Sequence, residues 1–154
     1  MISRPDRDRL ALLLRRLACG RITNEEFETE RPWRSADPGV RAVSWAAWGL
    51  YSDLRTHRLT GPDALTPRQR RRVARSVVFL HSDAEYRWPP PPGCNPARDL
   101  LALLTAGRVA SSAARRRAWR RVGKFAAWPF FTRREYTEAL ARPRLLAGSR
   151  APAA

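Results

Sequence analysis

Lysine, histidine and cysteine are all scarce in this chain: 154 residues hold two cysteines, two histidines and, beside 29 arginines, the single lysine Lys124. Cys19 and Cys94 lie far apart and show no CxxC or other ligand spacing, which excludes a disulfide framework and a zinc site. Both are expected to be small apolar fillers. Long apolar runs are missing as well. The longest nearly uncharged one, "AVSWAAWGLY" at 42–51, falls short of the roughly 18 residues that a membrane span needs. The opening "MISRPDRDRLALLLRRL" sets acids and arginines inside its apolar stretch and offers no small-residue cleavage site, so it does not read as a secretory signal. The expected compartment is the cytoplasm. A glycine-rich phosphate loop, GxSxG and HExxH are also absent. No catalytic residue, metal ligand or cofactor is assigned, and a non-enzymatic protein is expected.

Acids are scarce in one part of the chain only. Residues 1–94 hold 17 basic and 11 acidic residues, whereas residues 95–154 hold 13 and 3. Arginine in place of lysine, with much alanine, proline and leucine, is what a high-GC bacterial genome produces without selection for binding. That bias raises arginine everywhere and does not remove acids locally. The resulting positive field favours nucleic acid, an acidic protein or an anionic surface as partner.

The hydrophobic pattern predicts an all-α fold, a small multi-helix bundle. Leu10, Leu13, Leu14 and Leu17 recur at i, i+3, i+4 and i+7 in a helix over 4–19, and Gly20 stops it. "TNEEFE" (23–28) opens a second helix with Thr23 and Glu26 as a capping box. Asp37 and Pro38 start a third. Its two faces, Val40, Val43, Ala47, Leu50, Tyr51 and Leu54 against Ala42, Trp45, Ala46 and Gly49, predict a doubly packed central helix with Trp45 and Trp48 in the core. Thr66, Pro67 and Gln69 start a fourth, with Val73, Val77, Leu80 and Ala84 inward. Pro89 to Pro92 with Gly93 read as an extended spacer. Asn95 and Pro96 then open a helix ending at Gly107. A basic helix from Ser112 and "TRREYTEAL" (132–140) follow. "ITNEEFETERP" (22–32) and "FTRREYTEALARP" (131–143) both read as a capping box followed by a core aromatic. The expected division is a helical N-terminal part over 1–88, a proline-rich spacer over 89–94, a basic helical C-terminal part over 95–143 and a disordered tail over 144–154.

Two basic faces are the candidate sites. In "ARRRAWRRVGKFAAW" (114–128), Ala114, Ala118, Val122 and Phe125 point one way. Arg116, Arg117, Arg120 and Lys124 point the other, with Trp119 at the border. No acid lies between Arg108 and Arg134, whereas a merely solvated face normally mixes in glutamates at i+4. Such a face contacts phosphates, and Trp119 offers a surface for an unpaired base. Arg68, Arg71, Arg72 and Arg75 form a secondary face. In "HSDAEY", His81 and Glu85 share a face at i and i+4 only if the fourth helix continues that far. A metal-dependent enzyme built on them, with Asp83 and His57 nearby, is the weakest of the readings.

"LLLRRLACGRITNEEFE", residues 12–28, resembles the short helical hairpin called the SHOCT domain: a leucine-rich helix, a Gly-x-Ile-Thr turn, then Glu-Glu-Phe. The resemblance covers these 17 residues alone, and the chain departs from that family's continuation at Arg31, Pro32 and Trp33. It implies a module for self-association or protein contact, with no catalytic residue to carry over. The expected function is that of a protein-interaction protein acting through this hairpin and the basic surface. The alternative is a nucleic-acid-binding protein using the C-terminal arginines.

Overall fold

A computed structural model describes residues 1–90, 96–105 and 110–142. Cys94, the Asn95 cap, the Gly107 stop, most of the proline spacer and the tail lie outside the described residues. Those described are helical, with no strand among them and one isolated antiparallel bridge between Thr23 and Arg58.

Helix α1 (Arg4–Ala18) has Pro5 in its first turn and buries Leu10, Leu13, Leu14 and Leu17. Gly20, at φ +64°, closes it in the left-handed conformation. The Gly20 N–H reaches Leu17 O and the Arg21 N–H reaches Arg16 O, a Schellman pair that satisfies two end carbonyls. A Cβ on Gly20 would stand 2.3 Å from Thr60 Cγ2. Gly20→Ala therefore combines left-handed strain of roughly 1 kcal/mol with a clash. It is expected to lower the calorimetric melting temperature by at least about 2–4 °C; an unshifted transition would contradict this.

Helix α2 (Asn24–Glu30) begins with the expected Thr23–Glu26 capping box. Helix α3 (Pro38–Ala47) is capped by Asp37. It ends earlier than its pattern predicts, passing into a 3-10 turn at Trp48–Leu50. The physical reason is a tertiary clamp: Asn24 Nδ2 donates to Ser52 O and Arg55 O while its Oδ1 accepts the His57 N–H. This holds the following segment out of helical geometry and leaves Leu54 92% exposed. Nor is α3 doubly packed. Val40, Val43 and Ala47 are buried, but Trp45 and Trp48, expected in the core, are exposed.

The main packing pair is α1 with α4 (Pro67–Leu80), which opens on a Thr66–Gln69 capping box. Val73, Val77, Phe79 and Leu80 point inward. The helix stops at Leu80 because Arg4 takes the carbonyls of Leu80 and Ser82, while Arg7 takes those of Ser82 and Ala84. Arg7 is itself buried. Its Nε donates to Asp37 Oδ2 at 2.6 Å and its guanidinium lies 4.8 Å over the Phe79 ring. One arginine thus joins α1, the start of α3 and the segment after α4.

Three helices remain: α5 (Pro96–Leu104), α6 (Ser112–Arg121) and α7 (Arg133–Ala141), with a 3-10 turn at Phe125–Ala127 before α7. Thr132 and Glu135 form the expected capping box of α7. Residues beyond the proline run belong to the same core. Phe130 is buried against Phe79 at 5.3 Å, and Trp88 Nε1 donates to Phe130 O at 3.0 Å. On α5, Leu100, Leu101, Leu103 and Leu104 are exposed. Among the described residues no helix is long and apolar enough to cross a membrane.

Candidate nucleic-acid interface

The wall of the site nearest the core is α4. With Val73 and Val77 buried, the helical period puts Arg68, Arg71, Arg72 and Arg75 on the outer side. Arg72 and Arg75 are half-buried there, and Arg75 Nε donates to Trp128 O at 3.3 Å. The Arg72 guanidinium lies 5.0 Å over the ring of Trp128.

The facing wall is α6, fixed by its tryptophan. Trp119 packs on Trp88 at 4.9 Å and its indole Nε1 donates to Pro89 O at 2.7 Å. The core-facing side of α6 is therefore that of Ser112 and Trp119, whereas Ala118 and Val122, predicted to face inward, are exposed. The helix ends at Arg121, so Lys124 leaves the predicted basic stripe. Gly123 explains the break. A Cβ there would meet Phe131 O and Trp88 Cζ2 at 3.0 Å, so the bare backbone is what lets the chain turn against the aromatic cluster. Phe125 then folds back beneath Arg120, whose guanidinium sits 5.0 Å over its ring.

Between the walls lie two adjoining cavities that share Arg72, Arg120, Phe125 and Trp128. One, of about 470 Å³, adds Arg68, Arg71 and Arg75. The other, of about 540 Å³, adds Arg116, Trp45, Tyr86 and Trp119 over a floor of Ala42, Ala46 and Gly49. No carboxylate lines either. Burial first, then the neighbouring charges of Arg75, Arg120 and Arg68, lower the pKa of the Arg72 guanidinium. The Trp128 indole N–H is buried beside the Tyr86 hydroxyl. Cations converging at a low-dielectric wall, with aromatic faces beside them, can hold an anion that carries a flat ring.

The two basic faces read from the sequence are thus brought together, but not whole. Arg68, Arg71, Arg72, Arg75, Arg116, Trp119 and Arg120 line the groove; Arg117 and Lys124 are exposed outside its lining. Sequence reasoning missed Trp45, Tyr86, Phe125 and Trp128 as walls. The available signal was the Ala42, Ala46, Gly49 face, whose small side chains leave room for a cavity rather than filling a core.

His81 and Glu85 do not share a helix face, because α4 stops at Leu80. His81 lies 3.5 Å from Asp8, Asp83 pairs with Arg4, and Glu85 is exposed. Among the described residues no group of three His, Cys, Asp or Glu side chains is placed to hold a metal ion. Cys19 is exposed rather than a buried filler, since it follows the last turn of α1 as its C-cap. A broader, mainly apolar recess of about 970 Å³ runs between α1 and α4 past Cys19 and Leu59, on walls other than those of the groove. No family model matches the chain, and comparison with curated proteins and with solved structures gives no match.

Proposed function

We propose that the chain binds nucleic acid in the groove between α4 and α6, acting without catalysis and in the cytoplasm. One observation carries this reading: Arg68, Arg71, Arg72, Arg75 and Arg120 converge on a single cavity, and none of them pairs with a carboxylate among the described residues. Codon bias accounts for the number of arginines but not for this segregation. Arg4, Arg7, Arg55, Arg87 and Arg134, products of the same bias, each sit against an acid. A solvated face has no reason to bring cations from two helices together.

The test is binding of labelled nucleic acid to the full chain over a salt series. Each phosphate neutralised on a single strand contributes a slope of about −0.7 in log K against log salt, so five contacts give about −3 to −4. Absence of binding, or binding insensitive to salt, would sink the proposal. Poly-glutamate bound as tightly and with the same slope would assign the groove to an acidic peptide instead.

A protein-contact role has its own supporting observation in the exposed leucines of α5. In the hairpin of residues 12–28, Leu13, Leu14, Leu17 and Phe27 are buried within the chain itself and Leu12 is exposed. That role is accordingly proposed for α5 in preference to the hairpin.

A further inference from the structure

Building on the nucleic-acid reading of the groove, we infer that its ligand is single-stranded, with an unpaired base seated in the aromatic cavity and the flanking phosphates on the arginines. The groove grades from charge to aromatic surface. The cavity of about 470 Å³ brings together five guanidiniums, whereas the one of about 540 Å³ sets the rings of Trp45, Tyr86 and Trp119 beside three, those of Arg72, Arg116 and Arg120. Each lies within the 300–1,000 Å³ range of ordinary ligand pockets. Trp128 and Phe125 stand between them, each already under a guanidinium at 5.0 Å. Trp45 is 62% exposed; it packs edge-on against Trp48, whose own ring lies 5.0 Å from the Arg31 guanidinium. An exposed indole is a poor core residue and a good stacking platform.

The two cavities ask for different halves of one ligand. A duplex presents its phosphates but keeps its bases paired and stacked, so it would reach the arginines and leave the aromatic cavity empty. A single strand can turn a base out onto indole faces while its backbone stays on the cations. The charge is spread too far for one phosphate. From Arg68 to Arg75 α4 rises by about 10 Å, and Arg120 adds a cation from the opposite wall.

Gly49 gives a clean test, since it lines the aromatic cavity and a Cβ there meets nothing within 4 Å. Gly49→Leu puts bulk without charge or aromaticity into that space, and Trp45→Ala removes an exposed platform at little risk to the fold. Affinities of labelled oligothymidylate and of a duplex of equal length would be measured for the wild-type full chain and both variants, with tryptophan fluorescence recorded alongside. The wild type is expected to prefer the single strand by about tenfold and to show quenching on binding it. Each variant is expected to lose about 5- to 150-fold for the single strand, the worth of one stacked base, while keeping its affinity for duplex. Equal binding of both forms with the variants unaffected would overturn the base-insertion inference and leave the polyanion reading standing. Failure to bind either form would overturn both. A nucleoside monophosphate competing at the strand's own affinity would also overturn it, by assigning the groove to a free nucleotide.

Discussion

Asp37→Ala is expected to remove about 3–5 kcal/mol of folding stability, the usual penalty for deleting one partner of a buried ion pair. The lost carboxylate is almost fully buried. It accepts hydrogen bonds from Arg7 Nε and from the backbone N–H groups of Ser3 and Gly39. Arg7 would keep its carbonyl partners at Ser82 and Ala84 but hold an uncompensated charge against Phe79. Domains commonly have only 5–15 kcal/mol in total, so the urea midpoint should fall to a fraction of the wild-type value. An unchanged midpoint would refute the pair's structural role. Arg7→Met with Asp37→Leu is expected to recover part of the loss, because no lone charge then remains inside.

The same pair sets an acid limit. Burial pushes the Asp37 carboxyl up, yet the hydrogen bond and charge of Arg7 and the N–H groups of Gly39 and Ser3 outweigh it and hold the group below its ordinary value. A carboxyl lowered in the fold contributes stability that is fully present above its unfolded pKa, about 3.9, and is lost as pH falls through the folded value. The wild type should therefore weaken below about pH 4, and Asp37→Ala should decline less steeply over that range.

Reversing Arg68, Arg71 and Arg120 together to glutamate is expected to abolish measurable nucleic-acid binding near physiological salt. Any residual salt slope should be smaller in magnitude by about 2, at roughly 0.7 per lost phosphate contact. All three are exposed, so the helical circular-dichroism signal should be preserved. The control reverses Arg9, Arg16 and Arg21, which are equally exposed and absent from the groove lining, for the same change in net charge. If both triple variants lose binding alike, the total charge rather than the groove is what attracts the ligand. Retention in the control with loss in the groove variant localises the contact.

Local rules made much of the fold legible. Capping boxes at Thr23, Thr66 and Thr132 and the Asp37–Pro38 start depend on residues a few positions apart, and all formed where the sequence placed them. What escaped reading depends on residues distant in the chain. The Asn24 clamp ends the third helical run some 28 residues away, and Arg7 ends the fourth from 75 residues away. Neither residue looks unusual beside its neighbours, Arg7 least of all among so many arginines. The site was half visible for the same reason. The basic faces of α4 and α6 follow from the helical period, but their meeting depends on Trp119 reaching Pro89. The aromatic walls stayed hidden because a tryptophan in an apolar helix is read as core by default.

The groove also has a thermodynamic consequence for α4. Arg68 with Arg72, and Arg71 with Arg75, are like-charge neighbours one turn apart within that helix, each pair opposing it by on the order of 0.2–0.5 kcal/mol. An anion lodged among them cancels that opposition, and one that binds only the folded chain adds its own free energy to folding through mass action. Folding and occupancy become linked equilibria. On the proposed function, the arginines that would recognise the ligand are the ones that repel one another along α4, and the complex would be the more stable form of the fold.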